Sequence, residues 1–283
     1  MAMSQDHSDK VKAACYAVLI ELMHILGDFR DDIAIVGGWV PSLLIPDAPE
    51  RHLGTRDVDI ALNHHALSSG SYATIHKLLV KNGYKQNEAL NAQFKYFKDV
   101  DMGGKTYSIE VDLITGEYGG TTGRNRRHEP VQDAKALKAR GADLVFGRTQ
   151  TVTISGQLPN NRGADTVKCS IAGVVPFIVM KEIALERRLK PKDAYDLEYV
   201  IRNYHGGVEA IAELIKPDLH NPIVIEALSN IEQKFAAPDQ YGPRSISSFL
   251  NIQNTDERLR AEQRAHETIQ ELLNLTIRQA KKQ

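Results

Sequence analysis

The hydrophobic positions at the start of the chain follow first a helical and then a strand-like pattern. Five apolar residues recur at helical spacing and predict an opening helix over 9–27: Val11, Cys15, Val18, Leu22 and Ile25. The apolar, β-branched run 33–36 ends at Gly37-Gly38, which is typical of a buried strand followed by a tight turn. A helix beginning near Val40 should follow that turn.

Strand and helix patterns then alternate up to residue 171. The predicted elements, in chain order, are a strand at 57–62, a helix at 72–82, hairpin strands at 94–100 and 106–115, and strand-like runs at 145–158 and 165–171. This alternation favours a sheet with helices packed against it.

From Pro176 onward the pattern is helical only. The predicted helices lie at 177–189, 194–203, 208–216, 222–235 and about 255–280. The segment 236–248 is predicted to be the longest loop of this half. We therefore expect two domains, the first of strands and helices over 1–172 and the second of helices alone over 173–283.

Composition limits the size of the cores and the classes of partner that the protein can have. The 283 residues are 42% hydrophobic, enough to bury two modest cores. No run of about eighteen apolar residues occurs, and the first ten residues lack the apolar stretch of a secretory signal, so we expect a cytoplasmic protein without a membrane partner. The net charge of −1 means that a nucleic-acid partner must bind through local basic patches. Cys15 and Cys169 lack metal-ligand spacing and are expected to be buried thiols rather than catalytic groups.

Paired carboxylates on two predicted strands are the strongest chemical signal. Asp57 and Asp59 are two residues apart on a strand, so their side chains share a face and can hold the same cations. Nucleotidyl transfer needs such a pair, because carboxylate-bound divalent cations orient a triphosphate and activate the attacking hydroxyl. Glu110 and Asp112 share a face of a later strand in the same way, and one of them should complete the site.

The Gly37-Gly38 turn suits the same chemistry. Without Cβ atoms its backbone can approach a triphosphate closely, and amide groups at the start of the next helix can point at phosphate oxygens. Gly-Gly turns and Asp-x-Asp strands are each common without catalysis. Their order along this chain, followed by a further carboxylate strand, is what favours a catalytic site.

Several motifs resemble those of a known superfamily. The segments Gly37-Gly38-Trp39, 56–60 and Val111-Asp112-Leu113 resemble the core pattern of the polymerase-β-like nucleotidyltransferases. The stretch 179–197 resembles the helical motif of the AbiEii/AbiGii-type enzymes, which are abortive-infection and type IV toxin-antitoxin nucleotidyltransferases. In that motif a lysine, an arginine and a basic-Asp-x-x-Asp-Leu element follow in this order.

The resemblance implies an α/β fold in a bilobal enzyme, with a mixed β-sheet catalytic lobe and its flanking helices, an all-helical C-terminal lobe, and the active site in the cleft between them. It also implies NTP as co-substrate. It implies a two-metal magnesium site, with manganese as an alternative ion. The residues that match the family's pattern are Asp57, Asp59 and Asp112 as metal ligands, with Asp112 also as the base, and Lys181 with Arg187 or Arg188 as phosphate contacts. Glu110 is the reserve for the third carboxylate.

Other polar residues have two interpretations. Spacing alone allows Lys181 to extend to solvent as readily as to a phosphate. Asp193 and Asp196 begin a predicted helix, which favours a capping role, although Asp193 could orient Lys181 or Arg187. Three arginines in a glycine-rich loop could grip acceptor phosphates, or could simply be solvated: Arg124, Arg126 and Arg127. Three histidines lack a partner at ligand spacing, so zinc is not expected: His52, His64 and His65.

The acceptor is left open by these patterns. The alternatives are an RNA, most plausibly tRNA, modified by a toxin that has a cognate antitoxin; a protein; a small aminoglycoside-type molecule; or no acceptor at all, in an inactive nucleotide-binding regulator. The carboxylates argue against the regulator. The helical motif and the arginine loop favour a macromolecule, which is an argument by analogy.

Overall fold

The computed structural model describes residues 2–67, 69–86, 94–116 and 136–278. The chain forms two compact units. The first, here called the sheet unit, comprises Met1–Val40 and Leu53–Gly173, and the second, the helical unit, comprises Pro41–His52 and Val174–Gln283. The predicted fold class is confirmed, since a mixed sheet with flanking helices is followed by a helical C-terminal region.

A mixed sheet organises the sheet unit. Its strands are β1 Ile33–Val36, β2 Asp57–Leu62, β3 Lys85–Gln86, β4 Lys95–Asp101, β5 Thr106–Thr115, β6 Leu137–Lys138, β7 Thr149–Gln157 and β8 Ala164–Ala172. Within the described residues the order is β3-β4-β5-β2-β1-β8-β7, and β6 pairs with β5. Strand β2 runs antiparallel to β1 and parallel to β5, so both central neighbours of β2 are fixed by backbone pairing.

Burial explains why these segments form strands. All four residues of β1 are buried, as its continuous apolar run predicts. In β2 and β5, buried Val58 and Val111 alternate with the half-buried carboxylates. Helix α1, Ala2–Ile25, packs against the sheet through the apolar stripe expected from the sequence, and α3, Ser69–Lys81, also belongs to this unit.

The helical unit contains six longer helices among its described residues. They are α4 Val174–Arg188, α5 Pro191–Asn203, α6 Gly207–Ile215, α7 Pro222–Lys234, α8 Tyr241–Phe249 and α9 Thr255–Leu273. The side chains of Asn221 and Asn254 cap α7 and α9 by accepting from backbone amides two residues ahead. None of the described helices is long and apolar enough to span a bilayer.

Helix α8 corrects the expectation of a long loop over 236–248. Its glycine, proline and serines predict a turn, but Pro243 lies in the first turn, where a backbone amide needs no acceptor within the helix. Gly242 lies against the ring of Phe235, where a Cβ would come within 2.5 Å of a ring atom. Small residues here permit close packing and do not break the helix.

The segment Pro41–His52 is anchored inside the helical unit. The Tyr199 hydroxyl donates to the Glu50 carbonyl at 2.7 Å. His52 Nε2 lies 2.8 Å from Asp196 Oδ1, and both side chains are fully buried. The His52 ring stacks on Tyr195 with ring centroids 5.2 Å apart. The segment includes most of α2, Val40–Leu44, and precedes β2 in the sequence.

Candidate active site

The register of β2 and β5 brings the predicted carboxylates together. Asp57 pairs with Glu110, and Asp59 pairs with Asp112. Paired residues of neighbouring strands project from the same face of a sheet, so the four side chains form one acidic group. Val58 and Val111 point to the opposite face and are fully buried. The period of two that suggested this arrangement is thus present in both strands.

Lys95 lies within this acidic group and was missed by the sequence analysis. It opens β4 and pairs with Asp112 across the β4–β5 hairpin. Its ammonium contacts the Glu110 carboxylate and lies 3.1 Å from that of Asp112. Burial opposes its charge, but hydrogen bonding to Glu110 and attraction to Asp112 outweigh that effect and raise its pKa. Lys95 therefore stays protonated and neutralises part of the acidic group.

The environment of Asp112 suits a cation ligand. Its Oδ2 accepts from Lys95, and its buried Oδ1 also lies 3.1 Å from the Lys95 ammonium. Burial raises the pKa of Asp112 to about 6, and the nearby charges of Glu110 and Asp57 act in the same direction against the effect of Lys95. A cation bound beside Asp112 would favour its charged form.

The Gly37-Gly38 turn packs directly on one of these carboxylates, that of Asp59. Gly37 follows β1 with φ +67°, and a Cβ added there would overlap the Asp59 carboxylate. A Cβ on Gly38 would lie 2.5 Å from Thr55 Cβ. The Thr55 hydroxyl in turn donates to the Asp57 carboxylate. Both glycines are therefore required by close approach, and the turn continues as a 3-10 helix over Gly37–Trp39.

The residues present fit a site for hard divalent cations. Asp57, Asp59 and Asp112 offer only oxygen atoms, the donor that Mg²⁺ prefers. Lys95 contacts both Glu110 and Asp112, so its contacts do not separate the two as the third ligand. Asp112 is the one that pairs with Asp59 in the strand register.

The cysteines behave as buried thiols. Cys15 Sγ donates to the Asp57 carbonyl at 3.3 Å from behind the site. Burial raises the pKa of Cys15 to about 12 and that of Cys169 to about 11, so both remain protonated at neutral pH. A protonated buried thiol is a poor nucleophile. Trp39, next to the glycine turn, packs on Tyr16 with ring centroids 5.3 Å apart.

The basic and acidic residues of the helical motif meet within the helical unit. Lys181 Nζ lies 3.2 Å from Asp193 and 2.7 Å from Asp196. Arg188 donates two hydrogen bonds to Asp193, each at 2.7 Å. Burial disfavours the Lys181 charge, but attraction to the two carboxylates raises its pKa overall. Arg187 is exposed at the end of α4.

Asp193 lies in the first turn of α5, as expected, but neither aspartate is the N-cap of that helix. Lys190 is the N-cap of α5, and its side chain makes no capping hydrogen bond. Asp193 and Asp196 are instead buried and bind cationic side chains. The arginine that Asp193 orients is Arg188. The loop arginines Arg124, Arg126 and Arg127 lie outside the described residues.

Comparisons with known proteins add little at the level of family. No protein-family model matches the chain, and no curated protein matches it. A search of solved structures finds the crystal structure of an antigenic nucleotidyltransferase-like protein from Paracoccidioides brasiliensis, which is 17% identical with a TM-score of 0.40, over 90% of this chain and 94% of that one. A likeness at this score assigns no activity to the chain.

Proposed function

We propose that the chain is a magnesium-dependent nucleotidyltransferase that transfers NMP from an NTP to an acceptor hydroxyl. One observation carries the proposal. Asp57, Asp59 and Asp112 share one face of two paired parallel strands, beside a glycine turn that packs on Asp59. This combination meets the two needs of the reaction, which are ligands for cations and a backbone that a triphosphate can approach.

Each group in the site has a distinct part. Bound Mg²⁺ would orient the triphosphate and stabilise both oxygens of an in-line displacement. Asp57 and Asp59 hold the cations, and Asp112 is the third ligand and the base for the acceptor hydroxyl. Lys95 contacts Glu110 and Asp112 and neutralises part of the acidic group. Gly37 and Gly38 let the triphosphate lie against the backbone.

We propose RNA, and specifically tRNA, as the acceptor, in a toxin controlled by a cognate antitoxin. The resemblance of 179–197 to the AbiEii/AbiGii-type motif supports this choice. In that proposal Lys181, with Arg187 or Arg188, contacts nucleotide phosphates, and Asp193 orients two of these cations. Arg124, Arg126 and Arg127 would contact the phosphates of the acceptor.

Labelling with each NTP tests the proposal. The purified protein and Mg²⁺ are incubated with each labelled NTP and with total RNA, bulk protein or an aminoglycoside. We expect label in RNA, and none with Asp57→Asn. Asp31→Asn is the matched control, because Asp31 is an exposed aspartate of the same unit. Label in protein or in the aminoglycoside would show that RNA is not the acceptor. Label retained in Asp57→Asn would refute the carboxylate site.

A further inference from the structure

Two histidines and an aspartate lie close together beyond the C-terminal ends of β2 and β5. His64 and His65 follow β2, and Asp143 lies in the short 3-10 helix Ala142–Leu144. One ligand atom from each residue can be chosen so that all three lie within 4.8 Å of one another. We propose that these side chains bind a divalent transition-metal ion of the zinc class, at a site separate from the carboxylates of the proposed transferase.

Strand pairing delivers Asp143 to this place. The two-residue strand β6 runs parallel to the end of β5, with Thr115 paired to Lys138. The Ala139 amide then donates to the Thr115 carbonyl at 2.8 Å. Gly141, with φ +85°, turns the chain into the 3-10 helix that carries Asp143. The position of Asp143 is therefore set by backbone pairing with β5.

A glycine makes room for the aspartate. Gly116 directly follows β5, and a Cβ added to it would overlap the Asp143 carboxylate. The close approach of Asp143 to the end of β5 thus requires a residue without a side chain. The carboxylate lies with one oxygen, Oδ1, 3.6 Å from His64 Nδ1.

The histidine pair is held by its own turn. Asn63 Oδ1 accepts from the His65 amide at 3.2 Å, and the Asn63 carbonyl accepts from the Leu67 amide at 2.9 Å. The Asn63 amide donates to the Asp32 carbonyl, which ties the turn to the start of β1. The ring centroids of His64 and His65 are 3.9 Å apart. Because the backbone is fixed, binding a metal would cost mainly side-chain rotation.

The donor set selects the class of ion. Imidazole nitrogens suit zinc and other borderline transition metals, whereas Mg²⁺ prefers oxygen ligands and keeps its waters. Two ligands on one zinc lie about 3.3 Å apart, given zinc–ligand bonds of about 2.0–2.1 Å. The separation of 3.6 Å is close to this value, and the exposed side chains of His65 and Asp143 can rotate to close the remainder. Water would fill the other coordination positions.

The two sites are well separated. Asp59 lies three residues before the end of β2, which corresponds to roughly 10 Å at about 3.3 Å per residue, and His64 follows beyond that end. The metal would join the turn after β2 to the 3-10 helix after β6. Its role would be to stabilise the sheet unit, because anything that binds only the folded chain raises its free energy of unfolding.

Metal titration of the full chain tests the proposal. Protein freed of metal with a chelator is titrated with Zn²⁺ by calorimetry, and with Co²⁺ by visible absorption. We expect a Zn²⁺ site that millimolar Mg²⁺ does not displace. His65→Asn and Asp143→Asn should each weaken it at least about tenfold, since each removes one of three protein ligands. Both side chains are exposed, so the folds of these variants should persist, as circular dichroism would show.

Two controls make the result decisive. His205→Asn removes an exposed histidine of the helical unit and should leave Zn²⁺ binding unchanged. Asp57→Asn should also retain it, which separates this site from the proposed transferase. The proposal is overturned if the wild type binds no Zn²⁺, or if His65→Asn and Asp143→Asn both bind it like the wild type.

Discussion

The two ends of the β2–β5 strand pair differ in the donors that they present. Near the start of β2 the register assembles oxygen donors, Asp59 against Asp112. Beyond the end of β2 the chain presents His64 and His65, with Asp143. In the two proposals, one parallel strand pair positions different donor sets at its two ends, and the donors at each end select the class of ion.

The largest expected effect is at the end of the strand pair that carries Asp59 and Asp112, here called the oxygen end. Asp57→Asn, Asp59→Asn or Asp112→Asn should each lower nucleotidyl transfer at least about a hundredfold, because each removes a charged metal ligand. Glu110→Gln should lower it much less, since Asp112 and not Glu110 pairs with Asp59 in the strand register. Initial rates at saturating Mg²⁺ would measure the ranking. A larger loss in Glu110→Gln than in Asp112→Asn would show that Glu110 is the third ligand.

Alanine substitutions at two separate glycines, Gly37 and Gly103, test whether steric contact fixes the turn at the oxygen end. Gly37→Ala should destabilise the protein by more than the roughly 1–2 kcal/mol of left-handed backbone strain, because the new Cβ also overlaps the Asp59 carboxylate. Gly103→Ala, at φ +68° with no atom within 4 Å of the new Cβ, is the matched control for strain alone. Urea unfolding gives both values. Equal losses would mean that Asp59 moves aside freely.

The smallest effect should be at the other end of the strand pair, beyond β2, where His64 and His65 lie. This is here called the histidine end. Gly116→Ala forces the Asp143 carboxylate away and should weaken Zn²⁺ binding by roughly tenfold, the loss expected when the support of a ligand is disturbed. Transfer at saturating Mg²⁺ should stay within about twofold of the wild type, since the two sites have different donors. Calorimetry and initial rates on the same preparation would compare them. A parallel loss of both properties would contradict their separation.

The oxygen end was accessible from the sequence because it depends on local periodicity. Two Asp-x-Asp or Glu-x-Asp patterns on strands fix the face of each side chain without knowledge of the partner strand. Lys95 was missed because its position depends on hairpin pairing. The pairing of Asp101 with Thr106 sets that register, so counting back from the Gly-Gly turn would have placed Lys95 opposite Asp112.

The histidine end was not accessible from the sequence. It depends on β6, whose two residues, Leu137 and Lys138, carry no pattern that a strand prediction can use. Histidine spacing alone then gave no partner for His64. Helix α8 was missed for a related reason, because Gly242, which lies against the ring of Phe235, is typical of a turn when the sequence is considered alone.

The excursion Pro41–His52 has a consequence for how the protein can be divided. It belongs to the helical unit but lies in the sequence between the glycine turn and β2. A fragment that starts at Val174 would lack His52 and leave the buried Asp196 without one of its partners. A single recombination crossover in the gene therefore cannot exchange either unit intact for that of a related protein. The two units are expected to be inherited together.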